Sequence, residues 1–510
     1  MNAPNWMKTS ALALLVAAGT TGLVTTIVTA GPLTPPAGPV AATYKTLTDV
    51  EPRTAVSTVN TPGDATATFR ITQPGSYYLT GNITAAAGKQ AIRIEADNVT
   101  LDLSGFEIVG NGGAMATAHG IELPFGRYRM TVRNGTIRNF PGSGIHGDQA
   151  GAARFENLSI TACGLTGISI NSGSTIDHCT VSACGTAGQP IAGGIYTSNG
   201  VNISNTVSGA NTGFGIVGGT DMNVSHCTAS GNSLHGIQVA RGSTVSYCDA
   251  SSNPGGAGIA TEEGCTITGC SAFNNGQYGI GVGASCSLRD CSADDNTTQG
   301  IITGDACALS NCSAKSNTLD GIKLGATSSV NGCSALLNGD NGIEASAGAA
   351  VHGCTARDNT GDGINVSTGS IVTNCSASSN DDDGIVTTTG CTVSECTASA
   401  NGNDGISIQG DCRVRANNCD GNGALTTNGC GISSPGAGGR NSDSRIEENN
   451  CTDNDYGIFV GDAGNIIIRN SCSGNATGNF SVVASNSLGT VFNASGIAIT
   501  TTNSFANFEY

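Results

Sequence analysis

Four aspartates stand directly before a Gly-Ile pair, Asp320, Asp362, Asp383 and Asp404, and the last three are spaced by 21 residues. Asp340, Asp381 and Asp382 flank them. Hard cations take several carboxylate oxygens at once, so Asp320, Asp362, Asp383 and Asp404 form a candidate Ca²⁺ site. Lys323 follows Asp320 by three residues, and Glu344 follows Lys323 by 21. A Ca²⁺ beside Lys323 would neutralise a uronate carboxylate and acidify the adjacent C–H, leaving the amine to take the proton. That is lyase chemistry on an acidic polysaccharide, with Lys323, Asp383 and Glu344 as catalytic candidates. The competing reading is that Asp-Gly is a favoured turn, which Asp fits for backbone reasons alone. Charges ~4.8 Å apart in water repel by only about 1 kcal/mol, so a hydrated acidic stripe is tolerable. Hydrolysis of a glycosidic bond needs two carboxylates flanking it; Asp382 and Asp383 could in principle serve, but adjacent residues in a turn usually diverge.

The six histidines are scattered. His119 and His235 sit just before Gly-Ile pairs, where Asp sits elsewhere, and read as turn residues. His226 and His352 neighbour a row of cysteines and read as structural; no Ser-His-Asp grouping or phosphate-cradling loop stands out. The 21 cysteines would ordinarily suggest disulfides in an exported chain. Cys265/Cys270, Cys286/Cys291, Cys307/Cys312 and Cys391/Cys396 share a Cys-x4-Cys spacing that looks ligand-like. Zinc sites, however, use isolated groups of four ligands with mixed spacing. Stacked in register, the Cβ atoms would lie near ~4.8 Å apart, against roughly 3.8 Å in a disulfide. The expected state is a stack of reduced thiols acting as small buried hydrophobes.

What must position these groups is a repeat. A Gly-Ile pair recurs from Gly120 to Gly457, and from Gly194 to Gly405 nine of ten steps are 21 residues and one is 22. Nine residues after each glycine comes an aliphatic, twelve after a Cys in most coils, fourteen after an Ala and seventeen after an Asn, from Asn211 to Asn422. A spacing of two is strand spacing with both residues on one face, and the three-residue step between the aliphatic and the Cys marks a bend. Short strands joined by bends in a fixed register give stacked triangular coils. The steps from Gly167, Gly405 and Gly431 are longer, 27, 26 and 26 residues, so short loops leave the coil there. They carry few aromatics, which counts against a tight glycan cleft.

The pattern Gly-Ile, aliphatic, Cys or Asn, Ala, Asn resembles the right-handed parallel β-helix repeats of the pectin-lyase-like superfamily, over roughly residues 69–480. The resemblance implies an all-β right-handed parallel β-helix solenoid, with the Asn row as an asparagine ladder bonding the turns. It also implies an active face on the outside of one strand row. Two residues after the glycines the outward side chains include Glu122, His146, Tyr196, Gln238, Lys323, Glu344 and Asn365. The superfamily's polygalacturonase motifs (Asn-Thr-Asp, Gly-His-Gly, Arg-Ile-Lys) and its mannuronan epimerase motif (Asp-Pro-His) are absent.

The bulk numbers agree with a β-rich chain full of tight turns: 75 Gly in 510 residues and only 12% charged. A net charge of −17 leaves no basic face for nucleic acid or an anionic membrane. Residues 1–30 read as a signal peptide, with Lys8 ahead of an apolar stretch from Ala11 to Val28. Residues 31–68 read as linker and N-terminal extension, 69–480 as the solenoid with irregular first coils over 69–119, and 481–510 as a C-terminal cap. The expectation is a monomer that is secreted, periplasmic or on the cell surface. Its expected role is a scaffold contacting polysaccharide or another envelope component. The alternatives are the Ca²⁺-assisted lyase, another carbohydrate-active enzyme, and a structural spike or adhesin.

Overall fold

A computed structural model describes residues 51–111, 118–186, 193–425, 428–436, 443–496 and 498–510. The expected signal peptide, and the extension as far as residue 50, lie outside the described residues. Among the described residues there is no helix, and every strand-to-strand ladder runs parallel. Arg53–Tyr510 is one compact unit, a parallel β-solenoid. Its pairing already begins with Thr54–Ala55 against Gly75–Tyr78.

The coil starting at Gly300 shows how the repeat folds. Strands Ile301–Thr303, Ala308–Ser310 and Ser313–Lys315 form three sides of a triangle. Each corner is a residue of positive φ followed by a small polar or sulfur-bearing residue: Ala306 (φ 56°) and Cys307, Asn311 (φ 53°) and Cys312, Ser316 (φ 55°) and Asn317. The left-handed conformation turns the chain sharply, and the next side chain then points inward. Ile301, Leu309 and Ala314 are buried in the lumen and stack on their counterparts in the next coil, Ile322, Val330 and Ala335.

The inward corner side chains satisfy the corner amides, which no strand can pair. Asn338 Oδ1 accepts from Asn317 N at 3.1 Å and Asn317 Nδ2 at 3.0 Å, while Asn317 Nδ2 also donates to Ala293 O at 2.9 Å. This asparagine ladder is unbroken from Asn211 to Asn475. The repeated glycine exists to admit it: a Cβ on Gly300 would fall 2.5 Å from Asn317 Nδ2 and 2.9 Å from Ala314 Cβ.

The cysteines do the same work at the other two corners. Cys312 N donates to Cys333 Sγ at 3.3 Å, and Cys286 N to Cys307 Sγ at 3.4 Å. Where the cysteine row ends, Cys396 N donates to Asn417 Oδ1 at 2.9 Å, and Cys307 N finds Ser328 Oγ at 3.1 Å. All 21 are free and buried. They are therefore more than the apolar filler expected of them: thiol, hydroxyl and amide interchange at one hydrogen-bonding position. The tail extends this second corner row, in which Asn417, Asn449 and Asn470 succeed the cysteines, with Asn507 Oδ1 accepting from Asn470 N at 2.9 Å.

Candidate functional site

The face that follows each repeated glycine is a continuous surface along the solenoid. Among the described residues nineteen strands stack on it, from Ala67–Ile71 to Gly478–Val482. Glu122, His146, Tyr196, Gln238, Lys323, Glu344 and Asn365 all lie there, part-exposed.

Lys323 and Glu344 are register partners in adjacent strands, and their side chains form an ion pair. Asp320 Oδ2 lies 3.5 Å from Lys323 Nζ. Burial works against the ammonium, but the two carboxylates outweigh it and hold Lys323 above its ordinary range. Burial likewise raises Glu344. Lys323 is thus held protonated, in a closed cluster.

The aspartate row is a ladder of its own. Asp362 Oδ1 accepts from Asp383 N at 3.2 Å, Asp383 Oδ1 from Asp404 N at 2.7 Å, and Asp404 Oδ1 from Cys430 N at 2.7 Å. Asn341 in the same row performs the same task for Asp362 N at 3.0 Å, as do His119 for Ser143 N at 2.9 Å and His235 for Ala257 N at 2.8 Å. His119 and His235 therefore are the turn residues expected. The hydrated stripe is corrected: Asp320, Asp383 and Asp404 are only 2%, 9% and 8% exposed. Their bonds to backbone amides draw Asp383 and Asp404 under the surface, while Asp320 is held there by Lys323 and Asn341 Nδ2. Burial, reinforced by the Asp404, Asp362 and Asp382 charges, pushes Asp383 up to about 7. Burial, with Asp382 and Asp340 nearby, pushes Asp362 up to about 6, and burial also raises Asp404. One oxygen each of Asp362, Asp382 and Asp383 lies within 4.8 Å of the other two. Asp383 belongs to a coil three beyond that of Lys323, roughly 14 Å away along the solenoid.

A second group was not singled out from sequence. His119 and His146 stack with ring centroids 4.2 Å apart and planes 8° from parallel. His146 Nδ1 is 3.0 Å from Glu122 Oε2 and its Nε2 is 3.4 Å from Asp148 Oδ2, with Ser169 Oγ bonded to Asp148 in turn. The two carboxylates push His146 up to about 10, whereas burial and the neighbouring His146 charge push His119 down to about 4. His119, Glu122 and His146 place ligand atoms within 4.8 Å of one another, but the rings oppose a shared ion. Lone pairs lie in the ring planes, and the near-parallel planes of two stacked rings cannot both contain one metal. Moreover, His119 Nδ1 accepts from an amide, so its proton sits on Nε2, the atom facing Glu122. The arrangement is a neutral imidazole stacked on a clamped imidazolium. Register was the usable signal: Glu122 and His146 share the outward row in adjacent strands.

Grooves indent this face in three places among the described residues. One, of about 290 Å³, is lined by His235, Gln238, Ala260, Thr261, Glu262 and Tyr278 among others. A second, of about 420 Å³, runs from Val386 and Ser407 to Ser434 and Asp462, and a third, of about 370 Å³, is lined by Gly281, Ile302 and Gly304 among others.

Matches to the family model described as right handed beta helix region cover residues 69–212, 119–269, 191–319, 260–393 and 302–440. Overlapping, they span most of the solenoid. The chain belongs to this right-handed β-helix family. Among solved structures, this β-helix protein is similar to the A-module of the Azotobacter vinelandii mannuronan C-5 epimerase AlgE4. The identity is 14% over 71% of this chain and 90% of that one, with a TM-score of 0.34. Others are a point mutant of the periplasmic alginate epimerase AlgG (11% identity, 79% and 82% covered, TM-score 0.30) and the Dettilon tailspike protein gp208 (13%, 71% and 62%, TM-score 0.28). These likenesses bear on fold alone. No curated protein matches the chain. Among the described residues no helix is long and apolar enough to cross a membrane.

Proposed function

We propose that this β-helix protein is an exported or cell-surface scaffold that contacts polysaccharide along its glycine-led face without catalysing a reaction on it. The observation that carries this reading is the form of that face. Its indentations, of about 290, 370 and 420 Å³, are lined by polar and small residues, and neither Lys323 nor the aspartates of the acidic row line any of them. Lys323 is paired with Glu344 and Asp320, and Asp362, Asp383 and Asp404 serve backbone amides. A base must be free to accept a proton in the substrate complex, and Lys323 is held charged.

The second reading, a Ca²⁺-assisted lyase, is favoured by the close approach of Asp362, Asp382 and Asp383. Hard-cation binding there would require Asp362 and Asp383 to ionise against their burial. A panel of neutral and acidic polysaccharides, with Ca²⁺ and with EGTA, separates the readings. The scaffold reading expects retention of the protein on at least one polysaccharide with no new unsaturated or reducing ends. Ca²⁺-dependent product would overturn it in favour of the lyase. Neither retention nor product would leave a structural spike or adhesin.

A further inference from the structure

Across five adjacent strands the outward residue two after the repeated glycine reads Val217, Gln238, Ala260, Gly281 and Ile302. Two successive small residues between Gln238 and Ile302 open a depression two coils wide, roughly 10 Å. Tyr278 covers part of its floor. A Cβ on Gly281 would fall 2.2 Å from Tyr278 Cε2 and 2.8 Å from Cζ, so the ring lies directly against the backbone of the strand. Gly281 has no positive φ, so turn geometry does not demand a glycine there. What demands it is the ring.

The ring also divides two indentations: Tyr278 and Thr261 line both the groove holding Gln238 and Glu262 and a neighbouring one holding Gly281, Ile302 and Gly304. Its hydroxyl, raised by burial, stays protonated and able to donate. His235 Nδ1 accepts from Ala257 N, which leaves Nε2–H as a further donor on the groove's edge. Gln238 supplies donor and acceptor, and Glu262 acceptors. No lysine or arginine lines either indentation, and Glu262 does.

Resting on the scaffold reading above, we propose that the depression over Ala260 and Gly281 is a pyranose subsite for an uncharged polysaccharide, with the Tyr278 ring as its stacking platform. A flat ring meeting the apolar face of a sugar, rimmed by mixed donors and acceptors, fits a polyol. A uronate would bring a carboxylate to Glu262 without a cation to meet it.

The test uses the full protein and Tyr278→Ala, Tyr278→Phe, Gly281→Leu and Gln409→Ala, the last lining a separate groove. Retardation is measured in gels containing dextran, galactomannan, hydroxyethyl cellulose, polygalacturonate or alginate, with circular dichroism and melting as checks on folding. The expected result is binding to a neutral probe, weakened about tenfold or more (~1.4 kcal/mol) by Tyr278→Ala and Gly281→Leu. Tyr278→Phe and Gln409→Ala stay within about threefold of the parent (~0.7 kcal/mol). Parent binding that the folded Tyr278→Ala and Gly281→Leu proteins retain would overturn the subsite and leave the scaffold reading standing. Binding confined to the acidic probes would overturn the uncharged class. No binding of the parent to any probe would overturn both readings.

Discussion

Replacing Asp383 by asparagine should stabilise the solenoid, and the gain should depend on pH in a defined way. Asp383 is 9% exposed and its carboxyl is pushed from 3.8 up to about 7, first by burial and then by Asp404, Asp362 and Asp382. A carboxyl whose folded pKa is raised binds its proton more tightly in the native state. Between pH ~4 and ~7 the unfolded chain has released that proton while the native one keeps it, so stability falls as pH rises through this window. At 1.36 kcal/mol per unit the loss at pH 8 is on the order of 4 kcal/mol, less whatever the neighbouring carboxyls share. The amide keeps the useful contacts, because its Oδ1 can still accept from Asp404 N and Asn403 Nδ2. Asn341 already fills the same role in an earlier coil of the row. Melting of parent and Asp383→Asn proteins from pH 4 to 8 in EGTA should give a difference near zero at pH 4, growing to several degrees at pH 8. A variant that is less stable at pH 8, or a difference independent of pH, would refute the reasoning. Repeating the series with Ca²⁺ tests the lyase reading, since an ion held by Asp362, Asp382 and Asp383 would stabilise the parent and not the variant.

Asn317→Ala removes the acceptor for Asn296 N and Asn296 Nδ2 and the donor to Ala293 O, leaving buried groups unpaired. It should destabilise by roughly 3–5 kcal/mol in urea unfolding, and a change below ~1 kcal/mol would show that the ladder is dispensable. Cys312→Ser should be nearly neutral, whereas Cys333→Val, which removes the acceptor for Cys312 N, should cost about 1–3 kcal/mol in the same assay. Unreduced protein should show no reactive thiols when native and 21 when denatured; a count near zero would mean disulfides. His146, clamped by Asp148 and Glu122 and raised to about 10, should show no NMR titration between pH 5 and 8. Its stabilising contribution is present below pH ~6.5 and fades as pH rises towards 10. A midpoint near 6.5 would refute the clamp, and Glu122→Gln should lower the midpoint.

The solenoid was legible because its physics is periodic. Gly300 must lack a Cβ for Asn317 to fit, Ile301 must fill the lumen and Asn317 must bond Asn338, so each requirement returns with every coil. What spacing alone missed was the corner. Cys312 and Ala314, two apart, look like strand neighbours, yet Cys312 follows a positive-φ residue and precedes the strand Ser313–Lys315. Its polar role shows only when the amide it serves is placed beside it. Depth was hidden likewise: an Asp before a glycine reads as exposed turn chemistry, and only the fold reveals that Asp383 and Asp404 lie beneath the surface.

In such a molecule the repeat itself misleads a search for function. Asp362, Asp383, Asp404 and His235 carry the side chains of catalysts, but they occupy the same position of their coils and each accepts from an amide of the next coil. Identity of role from coil to coil is the mark of a structural device. Groups free of that duty stand where the pattern is broken. Ala260 and Gly281 leave bare a row that Gln238 fills on one side and Ile302, Lys323 and Glu344 on the other, and Tyr278 stands in the acceptor row without a carboxylate or amide. Neither substitution helps the solenoid close, and together they lay an aromatic ring flat on its face. Departures from period that the architecture does not need are where ligand chemistry has room, and here they converge on one depression rather than on the acidic row.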